Sequence, residues 1–431
     1  MRMPSLETFL THRSAASLRA CAVLISSLVI TPVIGCGRPS KLTALELPAA
    51  NAPETADPAL AIDPDRNDLL VAWLAGEGDS WRLMFARSKN RGATWSEPVA
   101  VTPPGEPIRP QPESSPVMVC DDDGHVGIAW STTVEGESTG VTSSNVRFAR
   151  SQDGGRSWED PVTVNDDAAS GPGMHAYQGL AMYNDGSLLA AWLDSRPGGE
   201  RLDADESEGM DASVHVARSL DFGGHWGPNA PEWSRACGSC RVAVAVDVMN
   251  RPLLAFRRHY PGQVRDAVVA RLDAPAVRAR GDDWVVSSPG TGPAIAFARD
   301  GTLRLAWFSG VPGHVGVWFR EDVPEYDSTA TPLAVLHGDD LPIVHVGLGE
   351  AGMSGTLIAC DADSSGDRVL VLARVHPSGR RVEERIRVPG TEGASHPCVA
   401  ALNTCPYALV AWTTMDAGRN QVKLLRWDAG R

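Results

Sequence analysis

Cys237 and Cys240 stand in the run Cys-Gly-Ser-Cys, a spacing at which two thiols can pair with each other or hold a soft metal ion. Apart from Cys21 and Cys36 near the amino terminus, the other cysteines are Cys120, Cys360, Cys398 and Cys405. The resulting even number permits disulfides in an exported chain. His175, His345 and His396 are the imidazoles that could complete a copper or zinc site with Cys237 and Cys240. One Cys-x-x-Cys without a second pair favours a disulfide or buried thiols. A local Cys237–Cys240 disulfide is therefore expected, with no metal and no cofactor. Around this pair lie further groups able to bind charge or move protons: Tyr177, Asp194, Arg196, Arg241, Arg257, Tyr260, Arg265 and Asp266.

The elements that must position these groups are strands. An apolar alternating strand, a tight turn and a second strand ending in Ala-Trp or a near equivalent recur along the chain, with landmarks at Trp73, Trp130, Trp192, Phe256, Trp307, Cys360 and Trp412. Period-2 alternation around Asp-Gly-type turns marks hairpins. A third strand follows each hairpin and closes on Arg87, Arg150, Arg218, Arg271, Arg320, Arg374 or Arg426. Two markers in one register, seven times over, predict an all-β, seven-bladed β-propeller with about four strands per unit. Six blades, with one hairpin misread, is the alternative. The seventh unit ends after its third strand, and Lys41 to Leu47 is an orphan alternating strand at the other terminus. Pairing the two would close the ring and cover an exposed edge.

Three third strands run on into a stronger motif. Ser88, Asn90, Gly92, Thr94 and Trp95 form the first; Ser151, Asp153, Gly155, Ser157 and Trp158 the second; Ser219, Asp221, Gly223, His225 and Trp226 the third. All three resemble the Asp box (BNR repeat) of the sialidase-like β-propeller superfamily, and the wider repeat covers residues 41–431. The resemblance implies a structural turn: the Asp accepts backbone N–H groups, the Gly supplies a left-handed conformation and the Trp packs under a neighbouring strand. Asn90 and His225 depart from the pattern.

The same resemblance implies a ligand face built from the starts of first strands and the ends of second strands. Arg109, Glu113, His175, Tyr177, Asp194, Arg196, Cys237, Cys240, Arg241, Arg257, Tyr260, Arg265, Asp266, His345, Asp361 and His396 would fall there. Active sialidases grip a carboxylate with three Arg and attack with a Tyr activated by a Glu, while an Asp serves as acid and base. Carried over, Tyr260 or Tyr177 would be the nucleophile and Asp194 or Asp266 the acid. Arg196, Arg241, Arg257, Arg265 and His175 would bind ligand. The Arg-Ile-Pro signature of those enzymes is missing, and seven units depart from their six blades. A platform binding a glycan or protein ligand is therefore the leading expectation, and an exo-α-sialidase type of glycosidase the alternative. The insertion Pro197 to Asp211 could form an acidic lid on this face or simply a solvated loop. Cys237-Gly-Ser-Cys240-Arg241, Arg265-Asp266, Asp283-Trp284 and Gly292-Pro293 also resemble a bacterial sialidase-like lipoprotein subgroup. Ser288 stands where that subgroup has Cys.

The amino terminus suggests where the protein works. Arg13 and Arg19 precede an apolar run from Ala20 to Val33, which ends in Val33-Ile34-Gly35-Cys36. This resembles a lipoprotein signal over residues 1–35, with Cys36 lipidated, residues 36–58 as tether and closing strand, and the propeller over 59–431. Export to the cell envelope, with anchoring in the outer membrane through the lipid alone, is the expectation. Loss of residues 1–35 moves the formal charge of −14 further negative, because three Arg and one Glu leave. No basic stripe offsets it, which excludes nucleic acid as a partner. A monomer is expected. Replacing Cys36 by Ala should move the protein from the membrane fraction to the soluble fraction and abolish fatty-acid labelling; a protein that stays in the membrane would refute the anchor.

Overall fold

The computed structural model describes residues 39–430, apart from 50, 136–141, 168–172, 197–210, 273 and 323–330. The signal segment, Cys36 and nearly all of the acidic insertion lie outside the described residues. What is described is all-β, with two short 3-10 turns, Pro112–Ser114 and Gly352–Ser354.

The strands form antiparallel sheets of four. Glu54–Ile62, Leu69–Glu77, Ser80–Ser88 and Val99–Ala100 make the first, and Val117–Cys120, Val126–Ser131, Val146–Ser151 and Val162–Thr163 the second. His175–Met182, Leu188–Asp194, Asp211–Ser219 and Ala230–Cys237 join Ala243–Val246, Pro252–Tyr260, Val264–Ala270 and Val277–Arg278 into one eight-stranded sheet. The two halves of that sheet are linked by the single pair Ala236 and Arg258. Ala294–Phe297, Leu303–Ser309, Gly316–Asp322 and Leu333–His337 make a further sheet, followed by Val346–Glu350, Thr356–Cys360, Val371–Val375 and Val382–Arg387. In the last, Ser395–Ala401, Tyr407–Asp416 and Arg419–Asp428 are completed by Lys41–Leu45, which pairs antiparallel with Arg419–Asp428 from Lys41 opposite Asp428 to Leu45 opposite Leu424. The first strand of each four packs against the first strands on either side, and Ser395–Ala401 packs against Glu54–Ile62.

The hydrophobic cores lie between neighbouring sheets. In Leu69–Glu77, residues Leu70, Ala72 and Leu74 face the second sheet together with Val126, Ile128 and Trp130. The alternate residues Val71, Trp73 and Ala75 face the last sheet with Ala411, Val422 and Leu424. A strand covered on both faces reads as a continuous apolar run, which is why the Ala-Trp landmarks stood out. Trp73, Trp130, Trp192, Phe256, Trp307 and Cys360 are fully buried.

Polar groups fix the turns. Asp63, Asp121 and Asp247 each accept backbone N–H groups within the first hairpin turn of their four-strand set, and Asp363 does so in the second hairpin turn of its own. The third-strand arginines serve these turns or the next sheet. Arg87 bonds Asp63 and Asp68, and Arg271 bonds Asp247. Arg150 reaches forward to the Asp221 carbonyl at 2.6 Å, and Arg426 to the Arg91 carbonyl at 2.8 Å. In the Ser-x-Asp turns, the Ser151 hydroxyl accepts the Gly155 N–H while the Asp153 carboxylate accepts those of Arg156 and Ser157. Burial is the largest single influence and raises the Asp153 carboxyl, but these bonds together outweigh it and hold the group down at about 2. Asn90 replaces a carboxylate oxygen with its amide oxygen and keeps the bond to Thr94 N–H. His225 places its ring nitrogen on Asp221 where Thr or Ser would place a hydroxyl. The following tryptophans meet the preceding sheet edge-on: Trp158 on Phe85 and Trp226 on Phe148, each at 5.3 Å.

The first strand of the first sheet begins at Glu54, not at Ala59, so Asp57 and Pro58 belong to the fold and not to a tether. Gly155 has φ +86°, and a Cβ there would overlap the Phe85 ring. Gly186 has φ +78° with nothing near its Cβ position. Gly155→Ala should therefore cost more than about 3 kcal/mol through overpacking. Gly186→Ala should cost only about 1–2 kcal/mol for the backbone conformation. Equal losses in chemical denaturation would contradict this packing.

Candidate functional site

Three first strands carry the same irregularity. The register slips between Ala56 and Ala59, between Ala176 and Gly179, and between Ser395 and Cys398. Inside these bulges Asp57, Tyr177 and His396 take φ of 50°, 60° and 49°. Bulges re-aim side chains, and non-glycine residues at positive φ persist only where surrounding contacts over-determine them. All three strand starts border the place where the first strands converge.

A cavity of about 270 Å³ opens there. Its walls include Pro58, Pro112, Val242 and Val399, and its polar lining includes Glu113, Arg241, His345 and His396. Arg241 is anchored by donating to the carbonyls of Glu113 (3.3 Å) and Ser115 (3.2 Å). Glu113 sits in the short turn Pro112–Ser114, with its carboxylate 3.6 Å from His396 Nε2. That contact keeps the Glu113 carboxyl below its ordinary range. Burial holds the His396 imidazole below its own range. His345 and His396 stack with ring centroids 3.7 Å apart.

Asp361, fully buried at the end of its second strand, organises both histidines. It accepts His345 N–H at 2.8 Å, His396 N–H at 3.3 Å and His345 Nδ1 at 2.6 Å. Arg368 balances it at 3.1 Å. This places the His345 proton on Nδ1 and leaves Nε2 with a lone pair.

Asp57 is 2% exposed and accepts the Gln111 N–H on one oxygen, while its other oxygen has no partner. Burial raises its pKa to about 7, against the opposing influence of Gln111 N–H and Arg241. Tyr177 lies near Glu113, Cys237 and Cys240, and burial pushes its phenol up to about 12, away from a ready phenolate.

Of the residues given a catalytic or ligand-binding role from the sequence, Tyr177 and Arg241 belong to this neighbourhood, together with Glu113, His345, Asp361 and His396 of the expected ligand face. Tyr260 lies under Arg278 (3.9 Å from guanidinium carbon to ring centroid), and Arg278 pairs with Asp266 at 3.0 Å. Asp266 also accepts the N–H groups of Asp283 and Trp284. Neither Tyr260 nor Asp266 lines the cavity. Asp194 and Arg196 pair at 2.7 Å, with His175 Nε2 between Asp167 (3.1 Å) and Asp194 (3.5 Å). Arg257 and Arg265 are 1% exposed and donate to carbonyls, Arg257 to Thr291 and Arg265 to Ser287. The four arginines thus do not form one cluster, because three of them satisfy carboxylates or backbone elsewhere. The sulfurs of Cys237 and Cys240 face each other at 2.6 Å as free thiols, not joined in the expected disulfide, and neither takes part in a group of three metal-ligating side chains among the described residues.

Asp57 was missed because the sequence placed it in a tether. The signal was there: Asp57-Pro58, ahead of the apolar run of a first strand, repeats in His396-Pro397. Proline removes a ladder donor and favours a bulge.

No family model and no curated protein sequence matches the chain. Solved structures do resemble it. The Hadza microbial sialidase Hz136 gives a TM-score of 0.51 at 13% identity, over 87% of this chain and 66% of that one. An ulvan lyase solved with a GlcA(1-4)Rha3S chain gives 0.56 at 11%, over 88% and 94%. The Penicillium chrysogenum alpha-L-arabinanase gives 0.50 at 15%, over 90% and 98%. The fold is a sialidase-like β-propeller. At these identities the sialidase-like likeness concerns architecture, and the chain spans just under two thirds of the sialidase's length.

The raised pKa of Asp57 makes a stability claim. Between its unfolded value near 4 and its folded value of about 7, the native state binds the extra proton, so stability falls as pH rises through that window. Asp57→Asn should flatten this slope and gain on the order of 2 kcal/mol at pH 8. Unchanged pH dependence of urea unfolding would show that Asp57 is not protonated in the fold.

Proposed function

We propose that the protein is an exported lipoprotein, anchored through Cys36, whose mature part is a seven-bladed propeller that binds a glycan in its central mouth. The count takes the eight-stranded sheet as two blades joined at their edges. Closure is read from the pairing of Lys41–Leu45 with Arg419–Asp428 and the run of contacts between first strands.

The observation that carries the functional reading is the composition of the mouth. A concave site with apolar walls and a few convergent polar groups suits a small polar ligand. Arg241 supplies N–H donors for a carboxylate or hydroxyls, and Glu113 an acceptor for hydroxyls. The sialidase, arabinanase and lyase named above act on glycans, which favours a sugar over a peptide as occupant.

A second reading, an exo-glycosidase, is favoured by one observation: Tyr177 and Asp57, whose carboxyl is raised to about 7, lie within electrostatic reach of Glu113 in the lining of the mouth. Carboxyl groups pushed apart in pKa are a mark of acid–base division of labour. A sialidase-type grip by three guanidiniums is not supported, since Arg241 is the only arginine among the described residues lining the cavity.

The test is a glycan array probed with mature protein carrying Cys36→Ser, run beside hydrolysis of an aryl sialoside. Binding should fall at least about tenfold in Arg241→Gln and stay level in Tyr260→Phe. Fluorophore release that disappears in Tyr177→Phe would promote the glycosidase reading. Neither retention nor release on any glycan would sink both.

A further inference from the structure

We infer that Glu113, His345 and His396 form a binding site for a divalent transition metal ion, zinc by the chemistry of the donor set, at the floor of the central mouth. This goes beyond the glycan reading and does not depend on it.

The ligand atoms of the three side chains all lie within 4.8 Å of one another. Two imidazoles and one carboxylate are a borderline donor set that suits zinc; calcium and magnesium prefer all-oxygen surroundings. The cluster is also built for the purpose in three further respects. Asp361 receives His345 Nδ1, the outer-shell carboxylate–histidine arrangement that fixes the tautomer and turns Nε2 toward a metal. The same carboxylate bonds the backbone N–H of both histidines, so the two rings are set by one buried anchor. Finally, both ring nitrogens of His396 are buried without a hydrogen-bond partner. A buried imidazole with no partner is costly, and a metal on Nε2 removes much of that cost.

The contrast with the more deeply buried of the two other His–carboxylate clusters among the described residues is informative. Asp167, His175 and Asp194 also approach one another within ligand distance. There, however, Arg196 donates to Asp194 and Asp166, and His175 Nδ1 is bonded to the Ser144 carbonyl at 2.6 Å. A guanidinium already supplies the positive charge that a metal would bring. At Glu113 the nearest guanidinium, Arg241, is turned to the backbone carbonyls of Glu113 and Ser115.

The site is partly exposed to solvent. Glu113 is 37% exposed at its side chain, and the histidines 17–18%. An ion held there by three protein groups keeps positions for solvent or for the hydroxyl and carboxylate oxygens of a sugar.

The experiment uses mature protein purified without a histidine tag, stripped with EDTA and titrated with zinc chloride in a calorimeter, with bound metal measured after desalting. One zinc per chain is expected. Glu113→Gln and His345→Gln should each lower affinity by about a hundredfold or more, and Asp361→Asn by roughly 10–100-fold. His396→Asn, which tolerates positive φ, should abolish stoichiometric binding while keeping the native circular dichroism spectrum. Cys237→Ser and His175→Gln should leave binding unchanged. Folded, metal-free protein that takes up no zinc would overturn the proposal, as would zinc binding that survives both Glu113→Gln and His396→Asn. Because the readout is metal content, failure here is distinct from failure to bind a glycan.

Discussion

The hydrophobic cores of the described residues lie between neighbouring four-strand sets. A four-stranded sheet with both faces apolar cannot bury them alone, so each must be covered on both sides. The strand Leu69–Glu77 makes the point: its odd and even residues serve two different cores. The turns are tied into the same constraint. Trp158 and Trp226 press on Phe85 and Phe148 of the preceding sheets, and Gly155 is required where a Cβ would overlap Phe85. Arg150 and Arg426 add bonds from one sheet to the turn of another.

This arrangement forces the first strands together, and their starts then crowd into one small volume. Regular pleating would send successive side chains alternately into the two cores. The bulges at Asp57, Tyr177 and His396 break that alternation and allow polar side chains to gather at the mouth. Their strained backbones are held by specific partners: Thr413 Oγ accepts Asp57 N–H, Ser114 Oγ accepts Tyr177 N–H, and Asp361 accepts His396 N–H. The site is therefore rigid because the cores on either side of each bulge are rigid.

Electrostatics divide the charged residues into two populations. Most arginines are consumed by architecture: Arg257 and Arg265 satisfy backbone carbonyls inside the protein, and Arg87 and Arg271 close hairpin turns. A buried guanidinium left unpaired would be costly, so most of its N–H groups are engaged in the fold, although Arg265 Nη1 has no hydrogen-bond partner. The mouth keeps a different set, in which Arg241 is only partly occupied and His396 has no hydrogen-bond partner at its ring.

How much of this the sequence carried depends on the range of the interaction. The repeating hairpins, the Ala-Trp strands and the Ser-x-Asp turns were legible because each is set by neighbours a few residues away: alternation, turn chemistry and local carboxylate–amide bonds. Glu113, His345, Asp361 and His396 were legible as residues of one face, but not as partners. Tyr260, Asp194, Asp266, Arg196, Arg257 and Arg265 looked equally suited to chemistry, and their buried or ion-paired settings only appear once Trp284, Thr291, Ser287 and Asp167 are placed around them. Asp57 was hidden because nothing local distinguishes a bulged strand from the end of a tether. The sequence by itself determined the all-β repeat and the spacing of its hairpins, since short-range periodicity suffices for both. Tertiary structure decided which arginines are structural, and which carboxylate and histidines share a cavity, because convergence joins residues up to 283 positions apart, as Glu113 and His396 are.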